Sequence, residues 1–130
     1  MTPVVTLLLL QGRLLQQTWT AGPTLYTGRP EAVRAHVRLQ LAGGSQIRQA
    51  VVKVQGTKVP ADPAGWEDIV TRRDDSGVSE LEHTYAAPNG PASYSFLIDA
   101  RGYLALRVLG RSTAGVGQDA DVLTVDGLTW

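Results

Sequence analysis

The sequence predicts an all-β protein, a single antiparallel β-sandwich or jelly-roll-like domain of about eight strands. Three observations carry that prediction. Val33, Ala35, Val37, Leu39 and Leu41 alternate without a slip against Arg34, His36, Arg38 and Gln40, a period of two rather than 3.6. Fourteen glycines and seven prolines punctuate the chain, which suits short strands and many turns. No stretch carries a convincing helical period.

The elements follow in order. Residues 4–10 are rich in Val, Leu and Thr and read as a first strand. The segment has no Lys or Arg before it and is broken by Thr6, so it lacks the charged start of a signal peptide. It is also far short of the roughly 20 apolar residues of a membrane helix. Residues 14–20 form a second strand, closed by the turn Ala21-Gly22-Pro23, and residues 25–27 a short third. Residues 33–41 are the clearest strand, one face in the core and the other in water or at an interface. Ala42-Gly43-Gly44-Ser45 reads as a hairpin turn, with residues 47–55 as the partner strand.

A loop with Pro60 and Pro63 follows, and Trp66 and Ile69 are expected to plug one end of the sandwich. Residues 71–78 are charged and polar, a solvated turn or mobile loop. Residues 80–85 alternate Leu81, His83 and Tyr85 against Glu80, Glu82 and Thr84, and both histidines, His36 and His83, are expected to face outward. Residues 86–91 are a loop, and residues 94–98 a strand with Tyr94, Phe96 and Ile98 on one face. Arg101-Gly102 turns the chain into residues 103–109, with Leu104, Leu106 and Val108 inward. A Gly-rich turn over 111–119 leads to a last strand from Asp121 to Asp126 or Trp130.

At 130 residues the chain fits one domain, residues 1–130, able to bury a core without cross-links. It has no cysteine, hence no disulfide and no thiolate metal site. Twelve basic residues balance twelve acidic ones, and the positive charges are scattered. A nucleic-acid partner calls for a basic stripe, so neither nucleic acid nor a membrane is expected as a partner.

Candidate chemistry is sparse. Neither histidine sits in a ligand-spaced motif; His83, with Glu80 and Glu82 nearby, is the better metal candidate of the two, but an outward-facing strand residue is the expectation for both. Asp119, Asp121 and Asp126 flank a flexible loop, but their spacing matches no calcium motif. Asp74-Asp75 beside Arg72-Arg73 reads as a self-compensated turn. A nucleophile elbow and a phosphate-cradling glycine loop are both missing from the sequence. No enzyme, catalytic residue, metal or cofactor is therefore expected. The aromatics default to core packing.

One arrangement points to a family. Val52, Val54 and Gly56 form a Val-x-Val-x-Gly strand, followed by a loop and Trp66-x-x-Ile69. Later come Tyr103, Leu104, Leu106, Arg107 and Val108, a Gly/Thr turn over residues 112–117 and a Val-rich strand from Val122 to Val125. This order, over residues 33–126, resembles small β-sandwich structural proteins of tailed bacteriophages. The charged loop and the leucine-rich start depart from that pattern.

The resemblance implies a non-enzymatic protein of the virion, foremost a capsid decoration or cement protein bridging capsomers as a homo-oligomer. Its partners would be the major capsid protein, other virion proteins and itself. Head–tail joining, a tail or fibre component, and a carbohydrate-binding module are the alternatives. The expected contact groups are the apolar start, Val4, Val5, Leu7, Leu8, Leu9 and Leu10, with residues 1–12 as an arm toward a neighbouring subunit. The charged loop, Arg72, Arg73, Asp74 and Asp75, and the terminal Trp130 complete the set.

Overall fold

The protein is a β-sandwich of two antiparallel sheets, seen in a computed structural model. The structure describes residues 5–13, 19–22, 24–26, 32–40, 49–86, 92–113 and 122–129. Within them lie twelve strands: β1 (Val5–Arg13), β2 (Thr20–Ala21), β3 (Leu25–Tyr26), β4 (Ala32–Gln40), β5 (Gln49–Thr57), β6 (Glu67–Ile69), β7 (Thr71–Arg73), β8 (Ser79–Glu80), β9 (Glu82–Ala86), β10 (Ala92–Asp99), β11 (Ala105–Ser112) and β12 (Val122–Thr129). The number exceeds the expected eight because several elements are only two or three residues long.

The first sheet runs β1-β12-β4-β10-β7-β8. The second is built on the β11–β5 pair, with β2 and β3 on the outer edge of β11 and β6 and β9 sharing the far edge of β5. The alternation of β4 is realised in full: Val33, Ala35, Val37 and Leu39 are buried, and the residues between them are not. They face Phe96 and Ile98 of β10, Leu123 and Val125 of β12, and, across the sandwich, Val52, Val54, Leu106 and Val108. Each fully buried Leu, Ile, Val or Phe contributes about 1.5–3 kcal/mol relative to exposure, so this interior is the main source of stability.

The expected hairpin between residues 33–41 and 47–55 is not formed. β4 and β5 lie in different sheets, β4 between β10 and β12 and β5 between β11 and β6/β9. A glycine-rich connection serves an arch between sheets as well as a tight turn, and only tertiary packing decides between them. Residues 41–48 lie outside the described residues, as do most of residues 14–20 and 111–119.

The turn at Arg101-Gly102 makes a second change of sheet, from β10 to β11. Tyr103 N–H donates to the Ala100 carbonyl (3.2 Å), and Gly102 holds φ of +88°, a conformation that Cβ disfavours. Asp99 fastens the turn through the Arg101 backbone N–H (3.1 Å) and guanidinium (2.8 and 3.0 Å). β11 therefore begins at Ala105, and Leu104, expected in the core, is 59% exposed.

The two segments that carry the family resemblance are neighbours. Ala105 to Val108 stand opposite Thr57 to Val54 in register. Tyr103 lays its ring over Gly56, where an added Cβ would come within 2.6 Å of the ring. Ile69 joins the core as expected. Trp66 does not plug the sandwich; it is half-buried, with the Arg107 guanidinium 4.3 Å from its ring centre.

Candidate functional site

Residues 67–86 make an excursion that the sequence did not reveal. β6 ends at Ile69 on the edge of β5, the chain crosses to the other sheet at Val70, and Arg72 and Arg73 pair with Leu97 and Phe96. β8 returns along β7, and after Leu81 the chain rejoins the edge of β5 as β9, with His83 opposite Val52. The β7–β8 hairpin thus spans the open side of the sandwich. The expectation of a solvated turn or loop at residues 71–78 holds for Asp74 to Val78, which are exposed, whereas Thr71 to Arg73 are strand.

Three of the four charges of this hairpin are tied by ion pairs within the chain, with Arg73 half-buried and Asp74 and Asp75 exposed. Arg73 clamps Asp75 with Nε and Nη2, each at 2.8 Å, and donates from Nη1 to the Thr84 carbonyl at 2.7 Å. Its guanidinium lies 4.4 Å from the Tyr85 ring centre. The hydrogen bond to Asp75 raises the Arg73 pKa and lowers that of Asp75. Asp74 accepts from Arg34 and Ser95. Burial pushes its carboxyl up, but these donors outweigh that effect and hold it below its ordinary value. Of the four residues expected to contact a partner here, Arg73, Asp74 and Asp75 have partners within the chain, and Arg72 is exposed.

Beneath the hairpin lies His83, expected to face water. His83 is fully buried, with Nε2 2.5 Å from Thr71 Oγ1 and its ring packed against Phe96 and Tyr85. Among the described residues its Nδ1 has no hydrogen-bond partner, nor has the Tyr85 hydroxyl. Burial, then the nearby Arg73 charge, lowers the His83 pKa. Burial raises that of Tyr85. The sequence signal was the alternation with Tyr85, which puts both on one face; the charged neighbours disguised it.

Two outward surfaces flank this edge. On the β4–β10 face an open cleft of ≈ 350 Å³ is lined by His36, Asp74, Asp75, Ser93, Tyr94 and Ser95. On the β5–β11 face a polar ladder runs between two tryptophans. Arg107 donates to Gln55 (2.8 Å), Gln55 donates to Asp68 (2.9 Å), and Lys53 pairs with Asp68 (3.2 Å). Lys53 Nζ and the Arg111 guanidinium lie 4.5 and 4.9 Å from the Trp19 ring centre. The hydrogen bond from Gln55, then the Lys53 contacts, lower the Asp68 pKa against the opposing effect of burial. The alternation Lys53/Gln55 in one strand and Arg107/Arg111 in another was the signal for this face.

The apolar start is a strand of the sandwich. β1 pairs with β12 of its own chain, Leu7 opposite Gly127, Leu8 opposite Asp126 and Leu10 opposite Val125, with a register shift between Leu8 and Leu10. The register shift at Leu9 places Leu7 and Leu10, three apart, at positions opposite Gly127 and Val125. Val4 and Trp130 lie outside the described residues, as do Asp119 and Asp121, and Asp126 pairs with Arg38 at 2.8 Å. Among the described residues no group of three or more His, Cys, Asp or Glu side chains could hold a metal ion.

No protein-family model and no curated protein matches the chain. Among solved structures, the chain is similar to the SPBc2 prophage-derived protein YomS, with a TM-score of 0.51 at 11% identity, over 100% of this chain and 99% of that one. At that identity the likeness is one of fold.

Proposed function

We propose that the chain is a non-enzymatic structural protein of a bacteriophage particle, and that its place there is capsid decoration, docking between capsomers as an oligomer. The observation that carries this reading is the end-to-end likeness to a prophage-derived protein, which takes in the whole of both chains rather than a shared core. The sequence resemblance to phage structural proteins supports it independently. Its motif residues Val54, Gly56, Tyr103, Arg107 and Trp66 converge on one pair of strands and their cover.

The side-chain economy also favours docking over chemistry. Asp68, Asp74, Asp75, Asp99 and Asp126 each pair with a cation, which builds a rigid, prearranged surface. Contact in this reading comes from β1, from Arg72, and from the apolar side chains that the edge hairpin presents, Val70 at 56% and Leu81 at 46% exposure. The carbohydrate-module alternative has less support, because both tryptophan rings on the β5–β11 face already stack with cations.

The test is to mix purified protein with expanded, undecorated capsids and with isolated tails, and to sediment each. Saturable, stoichiometric binding to capsids is the expected result. Binding to tails alone moves the protein to a head–tail or tail position, and binding to neither overturns the reading.

A further inference from the structure

The edge hairpin is held to the first sheet by a short ladder and the Asp74 contacts to Ser95 and Arg34, and a buried imidazole sits under it. β7 meets β10 through two residue pairs, whereas β9, which carries His83, is held to β5 through five. The two strands are joined across the open side by Thr71 to His83 and by Arg73 to the Thr84 carbonyl and the Tyr85 ring.

His83 can be neutral there at little cost. Its Nε2 is satisfied by Thr71, and its Nδ1 needs no donor so long as it is only a lone pair in apolar surroundings. Protonation changes both conditions at once. Nδ1–H becomes a donor with no acceptor, and a second positive charge appears beside the Arg73 guanidinium in a site closed to water.

The groups around His83 do not offset this. From β7 comes the Arg73 cation, and from β10 the Phe96 ring; β5 contributes Val52, and β9 itself Tyr85. Glu80 of β8, the Thr71 backbone of β7 and Asp75 of the turn favour the charged form, but Asp75 is already held by Arg73, and burial and Arg73 prevail.

We propose that His83 is an acid-sensitive latch for the β7–β8 hairpin, whose protonation lifts the hairpin from the side of the sandwich and frees the edge of β10 at Phe96 and Leu97. Lifting is the cheapest way for water to reach the ring, because the alternative breaks the longer β5–β9 ladder. The freed edge offers unpaired backbone groups to an added strand. The ion pairs of the hairpin persist in mild acid, since the Asp74 and Asp75 carboxyls sit below their ordinary value of 3.8. Acid therefore acts through the imidazole first.

The experiment is hydrogen exchange on the whole chain at about pH 7.5 and about pH 5, either side of the ordinary imidazole range, corrected for intrinsic rates. The amides of Arg72, Arg73 and Val78 to Glu80 should lose protection in acid, by up to about thirtyfold, the ceiling set by the interval between the ordinary imidazole value of 6.5 and about pH 5, while β4 and β12 stay protected. His83→Phe should abolish this pH dependence and His36→Gln should retain it. Unchanged hairpin protection in acid, or the same loss in His83→Phe, overturns the proposal. Should His83→Phe fail to fold, the His83 ring resonance in the native protein decides. A titration midpoint shared with hairpin exchange supports the latch, and separate midpoints refute it.

Discussion

Gly56→Ala is the sharpest probe of how this sandwich is assembled. The backbone at Gly56 lies outside the left-handed region, so alanine is allowed by conformation and, by restricting the unfolded chain, would ordinarily stabilise by about 0.4–1 kcal/mol. Space decides otherwise. The new Cβ would stand 2.6 Å from Tyr103 Cδ1 and 2.8 Å from Cγ, at the root of the ring, where no terminal rotation relieves it. Either the ring leaves its place against the core or β5 and β11 shift apart. Overpacking of this kind costs about 1–3 kcal/mol. The assay is urea unfolding, where a loss of about 2 kcal/mol lowers the midpoint by about 1 M at an ordinary slope. The decisive comparison is Gly56→Ala in a Tyr103→Ala background, where the clash is gone and the substitution should be neutral or mildly stabilising. An equal loss in both backgrounds would refute the account.

Other outcomes follow from the same structure. Leu106→Ala, at a fully buried site, should cost about 2–5 kcal/mol, and Leu104→Ala, two residues earlier, less than about 0.5 kcal/mol by the same unfolding assay. Arg73→Lys should destabilise nearly as much as Arg73→Met, by about 1.5–3 kcal/mol, because an ammonium cannot reproduce the paired bonds to Asp75 together with the Thr84 carbonyl and the Tyr85 stack. The Asp68, Asp74, Asp75 and Asp99 pKa values are all lowered by folding, so their stabilisation is complete above the ordinary value of 3.8 and disappears as pH falls through the lower folded values. Unfolding midpoints should therefore decline below about pH 4, and Asp74→Asn should flatten that decline. His83 works in the same direction in a higher window, since its folded pKa lies below the ordinary 6.5 and stability falls as pH drops from there toward the folded value.

The all-β class, the period of β4 and the scaffold role of residues 52–56 and 103–108 were legible because each depends on local alternation between core and water. The changes of sheet were not. Gly43-Gly44 suggests a hairpin, yet β4 and β5 lie in different sheets; Val70 and Leu81 look like ordinary strand residues, yet the chain changes sheet at both. A crossing is decided by which ladder the next segment completes, and that partner is distant in sequence. The exposure of Arg72, Asp74 and Asp75 was legible from their charge, and so was the pairing of Arg73 with Asp75. That Arg73 also meets a carbonyl and an aromatic face depends on β9, a partner distant in sequence. His83 was misplaced for a like reason, its burial depending on the hairpin that covers it. The polar face between Trp19 and Trp66 needed the β5–β11 register before its residues could be seen to meet.

The leucine-rich start shows how register changes a functional argument. Read as a sequence, it is too apolar for a free strand and calls for a partner. In the fold, that segment pairs with β12 of its own chain, with a register shift between Leu8 and Leu10.

The measurement that bears most directly on the function is quantitative mass spectrometry of particles purified from a lysate of the organism that encodes the chain. A capsid decoration protein is present there in a fixed ratio to the major capsid protein, preserved through repeated density-gradient steps. Absence of the chain from intact particles, with the protein recovered only in the soluble fraction, would contradict the reading.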